Sequence, residues 1–387
     1  MGRPTLLFLV TEDWYFWSHR AGLAQAARDA GYDVVLASRF TDHRGRIEAL
    51  GIRCIPLPFA RSMRNPLHEW RVMRALAAIV RRTTPVIVHA VALKPILLCT
   101  WASWRAPQVD FCHAITGLGH LFISDGRRAR IVRAVVVPTL RWLFGHPRSW
   151  LIVQNEDDLA LLTRRRIAVA ARSIVIPGAG VDVARFAVTP LPSDDPPCVV
   201  LPARMLRDKG VLEFAEAARR VRARGVPARF VLVGGVDPDN PAALTEQEIA
   251  ALCADGCVEW WRHQDDMPAV YARASLVCLP SYREGFPKVL LEAAACGRPM
   301  IATDVPGCRE ICRDGVTGVQ VPVRDGAALA EACVQLLNDR ARRVEFGRNA
   351  RILVEREFAD ELVNRRTLDF YARIVAGAAW TGDVAAN

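Results

Sequence analysis

The stretch from Ser281 to Gly307 reads S-Y-R-E-G-F-P-K-V-L-L-E-A-A-A-C-G-R-P-M-I-A-T-D-V-P-G. It follows the apolar run Leu276 to Leu279, which is typical of a buried strand. A helix is predicted from near Pro287, because proline at the first helical position lacks only an amide that has no helical partner. Gly297 provides the left-handed cap that ends this helix, and a second strand follows over residues 299–303. The stretch therefore predicts a strand–helix–strand unit with parallel, buried strands.

Two carboxylates and a lysine lie in this unit. Glu284 is in the loop, Lys288 is in the first helical turn, and Glu292 follows inside an otherwise apolar helix. Amides near Gly285 and Phe286, at the helix N-terminus, favour an anion. The arrangement suits a diphosphate, with Glu292 accepting hydrogen bonds from a ribose and Glu284 from a sugar. The spacing alone fits equally well a helix with an N-terminal charge and an exposed Glu292.

Length and composition indicate a two-domain globular protein. The chain has 387 residues, of which 51% are hydrophobic and 24% are charged. It contains no apolar run of about 18 residues, so we expect no transmembrane helix. Met1 to Val10 reads as a strand rather than a signal peptide. The 11 cysteines lie mostly in apolar runs, so we interpret them as reduced thiols of a cytoplasmic protein and predict no metal site.

The positive charge is concentrated in the first half. Residues 1–190 carry a net charge of +13, whereas residues 191–387 carry −3. A strongly basic half is typical of proteins that bind nucleic acid, anionic lipid or phosphorylated ligands. No nucleic-acid-binding motif accompanies the charge here. Arginines alternate with apolar residues from Arg127 to Val137 and from Leu140 to Phe144, which favours an amphipathic helix on an anionic bilayer. The alternative is a core-facing helix with a solvated basic face.

Strands alternate with helices throughout, which predicts doubly wound parallel sheets. In the first half, strands are predicted at residues 6–10, 33–38, 53–55, 86–89, 109–113, 150–153 and 173–176. The aromatic segment from Thr11 to His19 is interpreted as a loop. The composition of Thr189 to Pro197 is that of a linker, and the alternation restarts at Cys198.

Arg204 and Lys209 bracket the turn after the first strand of the second half. Ligands of open α/β sheets bind at such strand ends. Arginine grips phosphate oxygens in a bidentate manner, and lysine supplies a compact charge. The chain has only three lysines, and two of them, Lys209 and Lys288, lie beside loops suspected of holding phosphate. These positions strengthen the prediction of a diphosphate site.

Several motifs resemble the retaining glycosyltransferases of family four, which have the GT-B fold. They are Arg204-x4-Lys209, the P-G-A-G-V-D-x3-F element from Pro177 to Phe186, and Glu284-x7-Glu292 within E-G-F-P-K-V-L-L-E-A-A-A-C-G-R-P. T-G-L-G, from Thr116 to Gly119, is similar to bacterial members that build lipid-linked oligosaccharides or surface polysaccharides. The resemblance covers nearly the whole chain. Its C-terminal motifs are specific, and its N-terminal motifs are loose.

The resemblance implies two Rossmann-like domains, doubly wound parallel sheets that face each other across a cleft. Residues 1–187 would bind the acceptor, residues 188–359 would bind the nucleotide sugar, and residues 360–387 would carry a helix that crosses back to the first domain. The implied activity is transfer of a sugar, an N-acetylhexosamine, from a UDP-linked donor to a lipid-linked saccharide or polysaccharide. It implies no metal and no cofactor. It places the protein in the cytoplasm, peripherally attached to the inner face of the cell membrane.

The resemblance also implies roles for individual residues. The donor-binding residues would be Arg204, Lys209, Gly234, Glu284, Gly285, Phe286, Pro287, Lys288 and Glu292, with the base near residues 258–262. The catalytic residues would be His113, Arg204, Lys209 and Glu284. Weaker contacts with the acceptor or the diphosphate are expected from Ser18, His19, Arg20, His89 and Thr116. The implied mechanism is front-face attack, in which the departing phosphate oxygen takes the acceptor proton.

One departure concerns the loop after the first strand. Relatives often have a Gly-Gly loop there, whereas this chain has Trp14 to His19. Either Ser18, His19 or Arg20 replaces the glycine backbone at the diphosphate, or the aromatic residues face an acceptor sugar or lipid. Two other functions fit the same pattern: a GT-B-fold nucleotide-sugar epimerase, and a non-catalytic module that binds sugar or lipid.

Overall fold

The structure is a computed structural model that describes residues 2–60, 65–117, 127–193 and 196–377. It divides into two compact units. The N-terminal unit takes the residues up to Ala179 and those from Val363 onward, and the C-terminal unit takes Gly180 to Leu362. Each unit is built on its own parallel sheet.

The N-terminal unit contains a seven-stranded sheet in the order β3-β2-β1-β4-β5-β6-β7. Its strands are β1 Thr5–Glu12, β2 Asp33–Arg39, β3 Arg53–Pro56, β4 Ile87–Val91, β5 Asp110–Ile115, β6 Ser149–Val153 and β7 Ser173–Val175. Its helices are α1 Asp13–His19, α2 Ala21–Asp29, α3 Arg44–Ala49, α4 Pro66–Thr83, α5 Leu93–Arg105, α6 Arg127–Gly145 and α7 Glu156–Arg164. All its strand pairs are parallel, as the alternation of strands and helices predicts.

Both faces of this sheet are buried, because successive side chains of each strand point to opposite sides. Along β1, Leu7 and Leu9 enter one hydrophobic cluster, whereas Leu6 and Phe8 enter the other. The strands are therefore apolar runs rather than alternating patterns, which is why they are recognisable in the sequence.

The C-terminal unit contains a six-stranded parallel sheet in the order β10-β9-β8-β11-β12-β13. Its strands are β8 Cys198–Pro202, β9 Arg229–Val233, β10 Val258–Trp260, β11 Leu276–Leu279, β12 Met300–Thr303 and β13 Gly318–Val321. Its helices are α8 Val211–Ala223, α9 Glu246–Cys253, α10 Met267–Ala272, α11 Lys288–Ala295, α12 Cys308–Ile311, α13 Gly326–Asn338 and α14 Arg340–Leu353. The last helix of the described chain is α15 Asp360–Ala376. Gly297 has a φ of +70°, the left-handed conformation expected after α11.

The segment predicted as an aromatic loop is helix α1. Asp13 begins the helix, and its carboxylate accepts hydrogen bonds from the backbone amides of Trp14, Thr41 and His43 and from the Thr41 hydroxyl, at 2.7–3.0 Å. Burial by itself raises the pKa of Asp13, but these hydrogen bonds together hold it below its ordinary value. The loop interpretation was wrong because these tertiary contacts organise a segment whose aromatic residues have low helix propensity.

The boundary between the units differs from the predicted one. We expected it after residue 187, next to the linker-like stretch that begins at Thr189, but it lies after Ala179. The Val181 backbone exchanges hydrogen bonds with Phe358 and Asp360, and Val181 and Phe186 are part of the C-terminal core. The proline-rich composition of the linker-like stretch therefore did not mark the boundary between the two units.

Helix α15 provides a hydrogen bond to the interior of the N-terminal unit. Its Tyr371 hydroxyl lies 2.7 Å from His89 Nδ1, and both residues are buried. Tyr371→Phe should lower the free energy of unfolding by about 1–3 kcal/mol, because it leaves a buried polar atom unpaired. Denaturant titration measures this. Tyr32→Phe is the matched control, because it removes a hydroxyl from the neighbouring ring and keeps the edge-on ring contact with Tyr371. An equal loss of stability in both variants would contradict the assignment.

None of the helices in the described part of the chain is long and apolar enough to cross a membrane. All 11 cysteines are thiols, of which eight are buried and three are half-buried. Helix α6 runs without interruption through Pro138 and contains both of the stretches in which arginines alternate with apolar residues.

Candidate active site

The sheet of the C-terminal unit changes winding direction at β8. Strand β9 lies on one side of β8 and β11 on the other, so the loops after β8 and β11 meet at a topological switch point. Ligands bind in the crevice outside such strand ends. These loops carry Arg204, Lys209 and Glu284, and the fold therefore brings the predicted residues to one edge of the sheet.

Lys209 and Glu284 form an ion pair at this edge. Lys209 Nζ lies 2.5 Å from Glu284 Oε1, and the two side chains are only 20% and 11% exposed. The Ser281 hydroxyl donates a second hydrogen bond to the same carboxylate oxygen, at 2.6 Å. The ammonium and carboxylate are thus held in one place although 75 residues separate them in sequence.

Glycine at position 210 permits this approach of the two loops. Gly210 has a φ of +74°, and a Cβ there would lie 2.2 Å from the carbonyl oxygen of Pro280. The Tyr282 amide also donates to the Asp208 carbonyl across the gap, at 2.9 Å. No residue with a Cβ fits position 210 without moving the loop that carries Glu284.

Arg204 lies at the exposed rim of the same edge. Its Nη1 is 2.7 Å from Asp237 Oδ2, and its side chain is 51% exposed. Gly234 follows β9 with a φ of +150°, and a Cβ there would lie 1.9 Å from the Ala203 carbonyl oxygen. Gly234 therefore acts through backbone packing, which keeps the loops of Arg204 and Asp237 together.

Helix α11 begins shortly after Glu284 in the sequence. The helix begins at Lys288 with Pro287 as its N-cap, one residue later than predicted. Phe286 is buried and packs 5.1 Å from the ring of Phe358. A Cβ on Gly307 would lie 2.2 Å from the Gly285 carbonyl, so this loop is also held by a close backbone contact. The first-turn amides of α11 have no partner within the helix and lie at its N-terminus, where the helix dipole favours an anion.

Glu292 is a buried carboxylate, so the alternative of an exposed side chain is wrong. Burial raises its pKa, while Lys288, a hydrogen bond from Tyr271 and the charge of Arg185 lower it in part. The Tyr271 hydroxyl lies 3.1 Å from Glu292 Oε2 and 3.1 Å from the Val289 carbonyl oxygen. Tyr271, on α10, was not predicted, because nothing in its local sequence indicates that it reaches α11.

His113 lies in the core of the N-terminal unit. It is fully buried, with ring centroids 6.1 Å from Phe111 and 5.4 Å from Phe144. Burial lowers its pKa to about 3, so the ring is neutral at physiological pH. The structure therefore does not place His113 at a surface where donor or acceptor would touch it.

His89 and Arg20 are also buried. His89 bonds to Tyr371, and burial together with the charge of Arg20 holds its pKa well below the ordinary value. Arg20 is 7% exposed. The expected contacts of these two residues with a ligand are not supported by their positions, because both side chains are buried.

The remaining N-terminal residues lie closer to solvent. The Ser18 hydroxyl lies 2.6 Å from His19 Nδ1 and donates to the Trp14 carbonyl at 2.9 Å. The His19 ring stacks on Tyr15, with centroids 4.3 Å apart. Thr116 is half-buried just after β5, whereas Leu118 and Gly119 of the T-G-L-G motif lie outside the described residues.

Comparison with known proteins agrees with this architecture. The structure of sucrose-phosphate synthase from Thermosynechococcus elongatus superposes with a TM-score of 0.78 at 23% identity, covering 97% of this chain and 100% of the other. The structure of HepE from Anabaena in complex with UDP and glucose gives 0.75 at 17% identity, covering 95% and 99%. The fold is therefore of the GT-B class, with two Rossmann-like parallel-sheet domains.

Sequence comparison adds the family. A model described as "Glycosyl transferase 4-like" matches residues 5–144, and one described as "Glycosyl transferases group 1" matches residues 196–339. The chain is 26% identical over 374 residues to N,N'-diacetylbacillosaminyl-diphospho-undecaprenol alpha-1,3-N-acetylgalactosaminyltransferase of Campylobacter jejuni, covering 92% of this chain and 95% of the relative. It is 27% identical to a glycogen synthase of Mycobacterium tuberculosis, covering 91% and 89%. The chain belongs to the group 1, family-4-like glycosyltransferases.

Proposed function

We propose that this glycosyltransferase moves a sugar from a UDP-linked donor to a lipid-linked saccharide, with retention of anomeric configuration and without a metal. The observation that carries the proposal is the Lys209–Glu284 ion pair at the switch point, with Arg204 at its rim. Two comparisons support the choice of substrates. The Campylobacter relative is named for a diphospho-undecaprenol-linked saccharide, and the Anabaena structure contains UDP.

In this proposal the donor lies across the carboxyl ends of β8 and β11. Arg204, Lys209 and the first turn of α11 bind the diphosphate. Glu292, oriented by Tyr271, accepts hydrogen bonds from the ribose hydroxyls. Glu284 is held by Ser281 and Lys209 and accepts hydrogen bonds from the transferred sugar, an N-acetylhexosamine.

The chemical step breaks the bond between the anomeric carbon and the phosphate oxygen. The bonding electrons leave with the diphosphate, and the acceptor hydroxyl attacks the same face of the sugar. Its proton passes to the departing phosphate oxygen. Arg204, Lys209 and the α11 amides stabilise the developing negative charge, the kind of electrostatic contribution that is often the largest in catalysis. Because Glu284 is held against Lys209, the proposal gives it a binding role rather than that of a nucleophile.

Thermal unfolding in the presence of nucleotides tests the donor assignment. We expect UDP, and one UDP-sugar, to raise the midpoint, whereas GDP and ADP do so weakly. At a UDP concentration of about 100 times Kd, the native state gains about 2.7 kcal/mol. EDTA should leave both the shift and turnover unchanged, because protein cations neutralise the diphosphate. Absence of any nucleotide shift would refute the diphosphate role of Arg204 and Lys209.

We also propose that α6 lies on an anionic membrane. Ile131 and Val135 are 67% and 65% exposed on this helix, Trp142 is also exposed, and Arg130 and Arg141 lie among them. Exposed apolar residues flanked by arginines suit the headgroup boundary of an acidic bilayer. Binding there would keep the enzyme at a lipid-linked acceptor.

Co-sedimentation with vesicles tests the membrane proposal. Ile131→Glu/Val135→Glu should lose most binding to vesicles that contain phosphatidylglycerol, because each change adds a negative charge to the apolar face. Val344→Glu in α14 is the matched control, since Val344 is 51% exposed in the C-terminal unit. Equal vesicle binding by the α6 variant and the control would rule out contact of this helix face with the membrane.

A further inference from the structure

The sheet of the N-terminal unit has its own switch point. Strand β1 pairs with β2 on one side and with β4 on the other, so the crevice at the carboxyl ends of β1 and β4 is the place where an open α/β sheet binds ligands. A cavity of about 140 Å³ opens at this point. It is lined by Val10, Thr11, Glu12, Trp14, Tyr15, Val91 and Ala92. None of the donor-binding residues proposed above contributes to it.

The aromatic walls of this cavity are held in fixed orientations. Tyr15 stacks on His19 with an interplanar angle of 6°, and Trp14 meets Tyr15 edge-on at 5.9 Å. The Trp14 side chain remains partly accessible, with a residue exposure of 36%. An accessible indole beside a small apolar cavity is suited to the C–H face of a sugar ring.

The cavity offers apolar surface rather than charge. Both oxygens of its carboxylate, Glu12, accept hydrogen bonds from Arg39 at 2.8–3.0 Å, so the charge of Glu12 is neutralised beside the cavity. The other walls are mainly aliphatic and aromatic. A methyl group placed against these mainly apolar walls gains their contacts, whereas a hydroxyl group placed there loses much of its hydration.

The backbone at the cavity is strained. Ala92 has φ 72° and ψ 161°, a region that is essentially restricted to glycine. Its amide is held by a hydrogen bond to the Ala114 carbonyl, at 3.0 Å. Such residues cost about 1–3 kcal/mol each and cluster at functional sites. The strain at Ala92 is thus a second observation, independent of the aromatic lining, that points to a ligand here.

We infer that this cavity binds the acetamido methyl group of the acceptor sugar, with the C–H face of the ring against Trp14. The inference rests on the proposed transferase function and specifies its acceptor. The cavity volume of about 140 Å³ suits a small substituent and is below the ~300 Å³ of a pocket for a whole drug-sized ligand. The amide N–H and C=O remain at the mouth, in contact with water.

Saturation-transfer NMR on the full chain tests this inference. The probes are methyl N-acetyl-β-glucosaminide and methyl β-glucoside. We expect the acetamido methyl protons to receive the strongest saturation. We also expect the N-acetyl sugar to bind about tenfold more tightly than the glucoside in competition, which is the lower end of the discrimination that an apolar pocket gives for a methyl-sized group. Trp14→Ala should abolish this preference.

Trp142→Ala is the matched control, because Trp142 is an exposed tryptophan of the same unit outside the cavity. A preference lost equally in both variants, or absent from the wild-type chain, overturns the inference. The UDP-induced thermal shift is recorded on all three proteins. Its retention in Trp14→Ala shows that the variant is folded, and its absence from the wild type is a failure of the proposed donor function, distinct from failure of the acceptor cavity.

Discussion

Lys209→Ala should lower kcat by about 10²–10³-fold and weaken UDP binding. The reason is that Lys209 supplies a compact positive charge at the leaving diphosphate, and the loss of one such electrostatic contact typically costs this much. The substitution also leaves Glu284, which is 11% exposed, without its counter-ion, so that a carboxylate faces the incoming phosphate. Initial rates of UDP release and the UDP-induced thermal shift measure the two effects.

The matched control is Arg207→Ala. Arg207 lies on the same short turn as Lys209, but it is exposed and pairs with Glu248. Exposed ion pairs contribute only about 0–1 kcal/mol, so rate and UDP affinity should stay close to wild type. A Lys209→Ala enzyme as active as Arg207→Ala would contradict the proposed stabilisation of the leaving group.

Glu284→Gln should also lower kcat by about 10²-fold or more, but it should strengthen UDP binding. The amide keeps the shape of the side chain and can still accept the hydrogen bond from Ser281. It no longer neutralises Lys209, so the ammonium attracts the diphosphate more strongly, whereas the hydrogen bonds to the transferred sugar weaken. Opposite changes in UDP affinity for Lys209→Ala and Glu284→Gln are the expected signature of this ion pair.

Glu248→Gln is the control for the second substitution, since it alters the exposed partner of Arg207 in the same way. A double variant, Lys209→Ala/Glu284→Gln, completes the cycle. If Glu284 acted only as the counter-ion of Lys209, the double variant would turn over no more slowly than Lys209→Ala. A further loss in the double variant is expected, because the proposal assigns Glu284 a separate contact with the sugar.

The fold was largely predictable because its signals are local. Buried parallel strands are short apolar runs, and the glycine after α11 marks a left-handed cap. Each of these signals can be recognised from a short stretch of sequence. The positions of Arg204 and Lys209 after one strand and Glu284 after another also followed from the sequence, given that carboxyl ends of parallel strands share an edge. The boundary after Ala179 did not follow, because it depends on contacts of Val181 with residues far along the chain.

The sequence by itself determined the two doubly wound sheets, the family motifs and the edge of the C-terminal sheet that carries them. Only the tertiary structure decided which side chains meet there. It paired Lys209 with Glu284, set Tyr271 against Glu292 and enclosed His113 and His89. It also folded the aromatic segment into α1 beside a cavity. The physical reason is that strand and helix periodicity depends on neighbouring residues, whereas burial and ion pairing depend on residues tens of positions away that only packing brings together.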